Sequence, residues 1–378
     1  MRAGGRAFSR PRVRSESSRF SSGATGAAAD IPAAVKRFLK LAASLLVTFA
    51  LTWWAFRDTN WREQWDSLRS AHYGWLIPYF GVLLCIHLCR TVRWGFLLSG
   101  LERIPFRKLN EASAIGFMML LVLPFRLGEF ARPFLIAQRS GIRRSAAMTS
   151  VVLERICDGL FIATLLRVLL FFVPANTPEV GYVRLGSTAM FAVFGGGLAF
   201  LLFALWHQER AVALVRRTLG RFAPGIADKA AEIVGAFVGA MRHLPSWPRI
   251  VAFFFATVVY WGLNGWGMTI AARAFGPALH LSLFHGYVVL CVVVVGLMIP
   301  SAPGMMGTFQ AATKVGLALF LPATVVNSEG LAYANVLWLC QTLQQIGFGV
   351  IFMSLSQMSF RDITRKLDDA PSPAEPAL

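Results

Sequence analysis

Charge is scarce in this chain. Only 15% of its 378 residues are Asp, Glu, Lys or Arg, where a soluble domain of this size carries about 25%. Acidic residues are scarcer still, 19 against 37 basic ones. The nucleotide-binding pattern GxxxxGK[ST] is missing, so the chain brings no ATP motor of its own. HExxH, GxSxG and a paired Asp-x-Asp are missing too, which removes the usual footholds for zinc peptidase, serine hydrolase and nucleotide-sugar chemistry. The five cysteines (Cys85, Cys89, Cys157, Cys291, Cys340) all fall in apolar runs, so no extracellular disulfide framework is read from them. Cys85-Ile86-His87-Leu88-Cys89 has no second ligand group at suitable spacing, and packing explains it better than a metal. No metal and no cofactor is expected.

What the chain has is hydrophobic length. Apolar residues make up 56% and are gathered into runs at 38–56, 76–98, 146–173, 186–206, 250–270 and 332–356. Each approaches or exceeds the ~20 residues that cross a ~30 Å hydrocarbon core. The net charge of +18 is placed asymmetrically. Segments 1–40, 103–108, 139–144, 207–249 and 361–378 hold 25 Lys and Arg, and the alternate loops 57–73, 174–184, 271–283 and 322–330 hold five. That is the positive-inside pattern, which puts both termini in the cytoplasm of a multi-pass protein of the plasma membrane, a bacterial inner membrane. Basic loops suit an anionic leaflet, so nucleic acid is not expected as a partner. Trp53, Trp54, Trp61, Trp65 and Trp75 surround the first outer loop, as interfacial aromatics do.

Residues 1–36 and 359–378 read as disordered cytoplasmic tails around a membrane domain at 37–358. Within it, 208–245 reads as an amphipathic helix on the cytoplasmic surface, with Ile226, Ala230, Ile233, Val234, Phe237, Val238 and Met241 at helical spacing; a plain connector is the other reading.

Two segments are not simple spans. Residues 109–123 are apolar, but Leu123-Pro124-Phe125-Arg126-Leu127-Gly128-Glu129 follows, then Arg132, Pro133, Gln138 and Arg139. Both flanks are basic, so the segment enters from the cytoplasm, turns and returns: a re-entrant hairpin, tolerated where protein or a wet cavity surrounds it. The second is Ile299-Pro300-Ser301-Ala302-Pro303-Gly304-Met305-Met306-Gly307-Thr308-Phe309-Gln310, with weakly charged flanks. It enters from the other face, either as a hairpin or as two full spans. Pro124 and Gly128 align with Pro300 and Gly304 at an offset of 176 residues, which suggests an inverted repeat with its binding site at the two breaks. The fold expected is all-α and polytopic, with about six full transmembrane helices and two Pro/Gly-broken re-entrant hairpins.

Candidate site residues follow. The run 146–173 carries Glu154, Arg155, Asp158 and Arg167. At roughly 3 kcal/mol each they cost about 12 kcal/mol of insertion, which the apolar residues offset by only about 7. Glu154 and Asp158 share a helix face, with Arg155 in reach of Asp158. Buried intramembrane charges mark a pathway by default; pairing with Arg93, Arg126 or Arg132 to hold the fold is the plainer alternative. Arg126, Glu129 and Arg132 offer two forked cations and a carboxylate, suited to gripping a phosphate diester. Ser301, Gly304, Thr308 and Gln310 are the polar or flexible positions of the second break. Asn264, Asn335, Gln341, Gln344 and Gln345 read as helix-to-helix hydrogen-bonding amides.

RTVRWGFLL at 90–98, LPFRLGEFARP at 123–133, RRSAAMTSVVLERICDGL at 143–160 and IPSAPGMMGTFQ at 299–310 occur in one order. Together they resemble the transmembrane region of the lysylphosphatidylglycerol synthase/flippase family, from about 36 to 358. The resemblance implies a translocase for aminoacylated, anionic or isoprenoid-linked lipids, with membrane lipids as partners and homo-oligomers as one form. It also carries the rival reading of a transferase that uses a polyprenyl-phosphate donor. Bifunctional members continue into a soluble aminoacyl-transferase domain and this chain stops at 378, so lipid aminoacylation is not expected. Met305 and Gln310 stand where the family often has Gly and Glu, which weakens a proton-carrying carboxylate there.

Overall fold

Every apolar run identified above falls within a helix. A computed structural model describes residues 33–123, 128–174, 178–221, 246–299 and 303–358, with scattered positions between 225 and 239. Arg126, Ser301, Pro124 and Pro300 lie outside the described residues, as do nearly all of the two tails. The chain divides into two units, Met1–Lys40 and Leu41–Leu378. In the first, residues 33–40, whose opening positions count with the tail above, are the start of a helix. The second contains everything discussed below.

The helices are α1 (Ala33–Phe56), α2 (Trp61–Ser70), α3 (Leu76–Leu98), α4 (Phe106–Val122), α5 (Ala131–Arg139), α6 (Arg144–Phe171), α7 (Pro178–Trp206), α8 (Gln208–Gly220), α9 (Trp247–Ala272), α10 (Leu283–Gly296), α11 (Thr308–Ala318) and α12 (Leu331–Leu355), the last preceded by a π-helical turn at Val326–Gly330. No strand occurs among the described residues. Among the described residues, four segments are long and apolar enough to cross a membrane: Tyr73–Leu98, Val180–Trp206, Trp247–Phe275 and Ala323–Leu355. Helix α6 has 28 residues, and it is the four charges, not length, that set it apart from them. Among the described residues, Ser44–Phe56 of α1 and Leu283–Gly296 are shorter apolar helices.

Packing follows small residues. α3 lies along α9, α4 along α12, and α6 along α7. Two core clusters result, one drawing on α3, α6, α9, α10 and α12, the other on α3, α4, α5 and α6. Outside them, Leu46, Phe49, Ile77, Phe171, Tyr182, Phe255 and Leu355 are exposed, the inverse of a soluble protein's surface and the arrangement a lipid solvent favours.

The two broken segments are both antiparallel helix pairs. At the first break, α4 ends at Val122, Leu123 turns extended, and Gly128–Phe130 forms a single 3-10 turn before α5. A side chain on Gly128 would run into the backbone of Met119 and Leu120, and one on Gly116 would lie 2.6 Å from Arg132 Cγ. Further along, Lys108 Nζ donates to Arg139 O at 2.8 Å. Pairing 128 with 119, 132 with 116 and 139 with 108 runs the two helices in opposite directions. The second pair is built the same way: Gly296 lies against Ala312, Gly316 against Val289, and the His285 ring stacks on Phe320 at 4.3 Å. Its break contains Gly304 (φ +77°), Met305 (φ +54°) and Gly307 (φ +80°). At Gly307 any side chain would be strained and would meet Thr52 of α1. Gln310 Oε1 accepts the Gly307 N–H at 2.7 Å, satisfying a donor at the start of α11.

The segment 208–245 is not one continuous helix. α8 stops at Gly220, where the sequence turns to Phe222-Ala223-Pro224-Gly225 and proline removes a backbone donor. Helical residues recur between 225 and 239. Of the apolar face expected there, Val234 and Val238 pack with Ala204, Ala211 and Phe200 of α7 and α8; Ile226, Ala230, Ile233, Phe237 and Met241 lie outside the described residues. Val234 and Val238 thus have a protein partner, which an isolated surface helix would not give them.

Candidate functional site: a buried ionic cluster

Helix α6 places Glu154 and Asp158 one turn apart, as their spacing requires, and α3 places Arg93 opposite both. Arg93 Nη1 and Nη2 grip Asp158 in a two-pronged fork, the second contact at 2.9 Å, and Nη2 also donates to Glu154 Oε1 at 2.7 Å. From α5, Arg132 Nη2 donates to Glu154 Oε2 at 3.0 Å. Arg155 lies 3.3 Å from Glu154 and 3.4 Å from Asp158. Trp261 Nε1 of α9 donates to Asp158 at 3.2 Å. Glu129, in the turn before α5, lies near enough to Arg155 to act on its charge.

The arginine planes rest on aromatic faces. Arg93 lies 4.6 Å from the Tyr260 ring, Arg132 4.2 Å from Trp94 and 4.8 Å from Phe117, and Arg90 3.8 Å from Phe117. Such stacking holds a guanidinium flat while leaving its N–H edge free to donate. The side chains of Arg93 and Glu154 are 0% exposed, Arg132 4% and Asp158 8%, whereas Arg155 is 39% exposed. The cluster is closed at the Arg93 end and open at Arg155.

Charge and hydrogen bonding are both left over. Among the described residues, Arg90, Arg93, Arg132 and Arg155 face Glu129, Glu154 and Asp158, one more cation than carboxylates. The Nε–H groups of all four arginines are buried with no hydrogen-bond partner among the described residues, and so is the Ser113 hydroxyl of α4. Unmet buried donors are costly. Together with the positive excess, they form a site disposed to accept an anion.

The remaining residues singled out in the sequence divide by place. Gly304, Thr308 and Gln310 sit at the second break: Trp338 Nε1 donates to Gly304 O at 2.7 Å, Gln310 Nε2 to Asn335 Oδ1 at 3.2 Å, and Thr308 is buried. They do not touch the ionic cluster. The turn Pro303–Met305 packs on α4, the helix that also carries Ser113 and Phe117, so one helix borders both places. Arg167 points away, donating to Thr188 of α7 at 3.2 Å. Asn264 bonds within its own helix, to Tyr260 O at 2.7 Å, rather than between helices, while Gln341 reaches Tyr79 of α3 at 3.1 Å. Among the described residues no group of His, Cys, Asp and Glu could hold a metal ion.

The sequence reading treats Arg93 as one counter-ion among three and omits Arg90. Their signal is the pair of arginines three apart inside the otherwise apolar run 76–98. The aromatic platforms of Trp94, Phe117 and Tyr260 carried no such signal.

Fold and site define an all-helical, multi-pass membrane protein with an ionic cluster inside its bundle. The chain belongs to the family described as the lysylphosphatidylglycerol synthase TM region, whose family model matches residues 41–349, and its function is accordingly tied to membrane lipids. No curated protein and no solved structure matches the chain.

Proposed function

We propose that the protein moves a phospholipid or isoprenoid-linked lipid between leaflets by holding its phosphate at the ionic cluster. The observation that carries this reading is the set of four buried, unpartnered Nε–H donors on Arg90, Arg93, Arg132 and Arg155, in a cluster with one more cation than carboxylates. A purely structural cluster would be expected to balance its charge and donors, because desolvation otherwise exceeds the Coulomb gain. A phosphate diester brings one negative charge and several acceptor oxygens, which answers both. Arg155, at the open end, meets the headgroup first, and Arg132 grips it within; Arg126, which the sequence sets three residues before Glu129, is the further cation proposed for the phosphate. Glu129, Glu154 and Asp158 hold the arginines apart and oriented, while the acyl chains stay in the bilayer.

In this reading α1, α3, α6, α7, α9 and α12 cross the membrane, with the basic loops and both termini in the cytoplasm of a bacterial cell. The antiparallel pairs are re-entrant. Their helices of 17, 9, 14 and 11 residues span about 26, 14, 21 and 17 Å at 1.5 Å per residue, short of a ~30 Å core. They enter from opposite faces as halves of an inverted repeat, with Gly304, Thr308 and Gln310 on the far wall of the path and Ser301 proposed with them from the sequence. The transferase alternative is less well supported. A general base needs a carboxylate free to take a proton, and Glu154 is held by three arginines and Asp158 by two.

The test is transbilayer movement in liposomes. Purified protein is reconstituted with labelled phosphatidylglycerol, and loss of the protected inner-leaflet signal is followed. Wild type should accelerate it, and Arg132→Ala, Arg126→Ala and Glu154→Gln proteins that insert normally should not. If wild-type protein moves no lipid, with or without a pH gradient, the transport reading fails; consumption of a lipid-linked sugar would then favour the transferase.

A further inference from the structure

A second place, remote from the ionic cluster, combines apolar shape with unpaired cations. Between α2, α3 and α12 lies a cavity of about 580 Å3 whose walls include Leu68, Leu76, Phe80, Val336, Leu339 and Leu343. It opens sideways, since Phe80, Leu339 and Leu343 are themselves exposed. At its rim stand Trp65, Arg69 and Tyr73. The Arg69 guanidinium stacks on Trp65 at 5.0 Å, and Arg273, after α9, stacks on Trp75 at the same 5.0 Å. The second stack does not line the cavity but lies beside its rim, where His72 N donates to Ala274 O at 2.8 Å. Neither arginine has a carboxylate partner among the described residues.

We propose that this groove is a binding site for one acyl chain of an anionic phospholipid whose phosphate rests on Arg69, with Arg273 beside it. Water gains little in an apolar groove, so one that opens to the bilayer is filled by hydrocarbon, and the rim cations, not the groove, select which lipid supplies it. The depth fits a chain: Val336 to Leu343 is seven residues, about 10 Å along the helix. At the rim, stacking occupies the guanidinium faces and leaves the N–H edges for a phosphate. Trp65, Trp75 and Tyr73 are the residue types that settle at headgroup level. The site does not rest on the transport reading: a protein that moved no lipid would still present it.

Photolabelling of the full chain in phosphatidylcholine nanodiscs tests this. The probe is a trace of phosphatidylglycerol carrying a diazirine midway along one acyl chain, compared with the matching phosphatidylcholine probe. Label is expected on the peptides containing Leu76–Phe80 and Val336–Leu343, about fivefold more from the anionic probe, because both probes carry the phosphate but only phosphatidylcholine sets a choline cation near the rim arginines, a difference of about 1 kcal/mol. Arg69→Gln combined with Arg273→Gln should bring the anionic probe down to the phosphatidylcholine level, Arg69→Lys should keep most of the labelling, and Leu339→Trp, which fills the groove, should remove it. Equal labelling by both probes would overturn the proposal. So would labelling indifferent to the arginines, or cross-linking of Val336–Leu343 to a second copy of the chain in place of lipid.

Discussion

Arg93 is the residue on which the buried cluster turns. Its fork on Asp158 and its second contact to Glu154 neutralise two carboxylates that would otherwise sit unpaired between α3 and α6. Removing one partner of a buried pair costs about 3–5 kcal/mol, so Arg93→Ala should lower the thermal unfolding temperature of the detergent-solubilised protein markedly. Arg93→Lys should recover only part of it, because an ammonium cannot reproduce the planar fork. The double variant Arg93→Met with Asp158→Leu separates structure from function. It removes the fork as a unit and leaves Glu154 with Arg132 and Arg155, so stability should return to within roughly 1–2 kcal/mol of wild type. If the cluster only holds the fold, lipid movement should return with it. The transport reading requires that movement stay lost in this stable protein.

At the scale of elements, the two broken pairs carry the architecture. Both breaks were legible in the sequence because proline and glycine interrupt apolar runs at 123–129 and 299–310, and six apolar runs gave six helices. The charged face of α6 was legible too, from the i,i+4 spacing of Glu154 and Asp158. Which arginine would meet that face was not. Arg93 lies 61 and 65 residues away, and its choice depends on the register of α3 against α6, set by many apolar contacts that no local pattern encodes. The clearance that Gly116 gives Arg132 is hidden for the same reason. So is the return of Val234 and Val238 onto α7 and α8, since an amphipathic period looks identical whether protein or a membrane surface covers it. Re-entrance of the first pair has a direct check. With the five native cysteines replaced, single cysteines at Lys108 and Ser140 should both react with an impermeant maleimide added to the same side of sealed vesicles. Labelling from opposite sides would mean that the chain crosses the membrane between them. At the second pair, Gly307→Ala places a side chain at φ +80° against Thr52. It should cost upwards of about 1 kcal/mol, read as a lower unfolding temperature, while Gly197→Ala, within α7 at a position with open space around it, should leave the temperature no lower and raise it slightly.

Across the whole molecule, charge predicts what the proposed site prefers. The cluster gathers four arginines against three carboxylates, and its exposed member is Arg155, so a headgroup entering there meets a cation first. An anionic headgroup adds its charge to a site in excess by one positive. A lysyl-bearing headgroup brings its own ammonium beside Arg155, and the carboxylates that could answer it are already engaged. Both headgroups carry the phosphate, so the difference is the repulsion between the lysyl ammonium and Arg155; a like-charge contact of about 1.4 kcal/mol corresponds to roughly tenfold in rate. Phosphatidylglycerol should therefore cross liposomes holding this protein about tenfold faster than a lysylphosphatidylglycerol analogue. Arg155→Gln should narrow that gap by slowing the anionic lipid more than the cationic one. A faster lysyl lipid would reverse the assignment: Glu129, Glu154 and Asp158 would then be the headgroup ligands, with the arginines serving to space them.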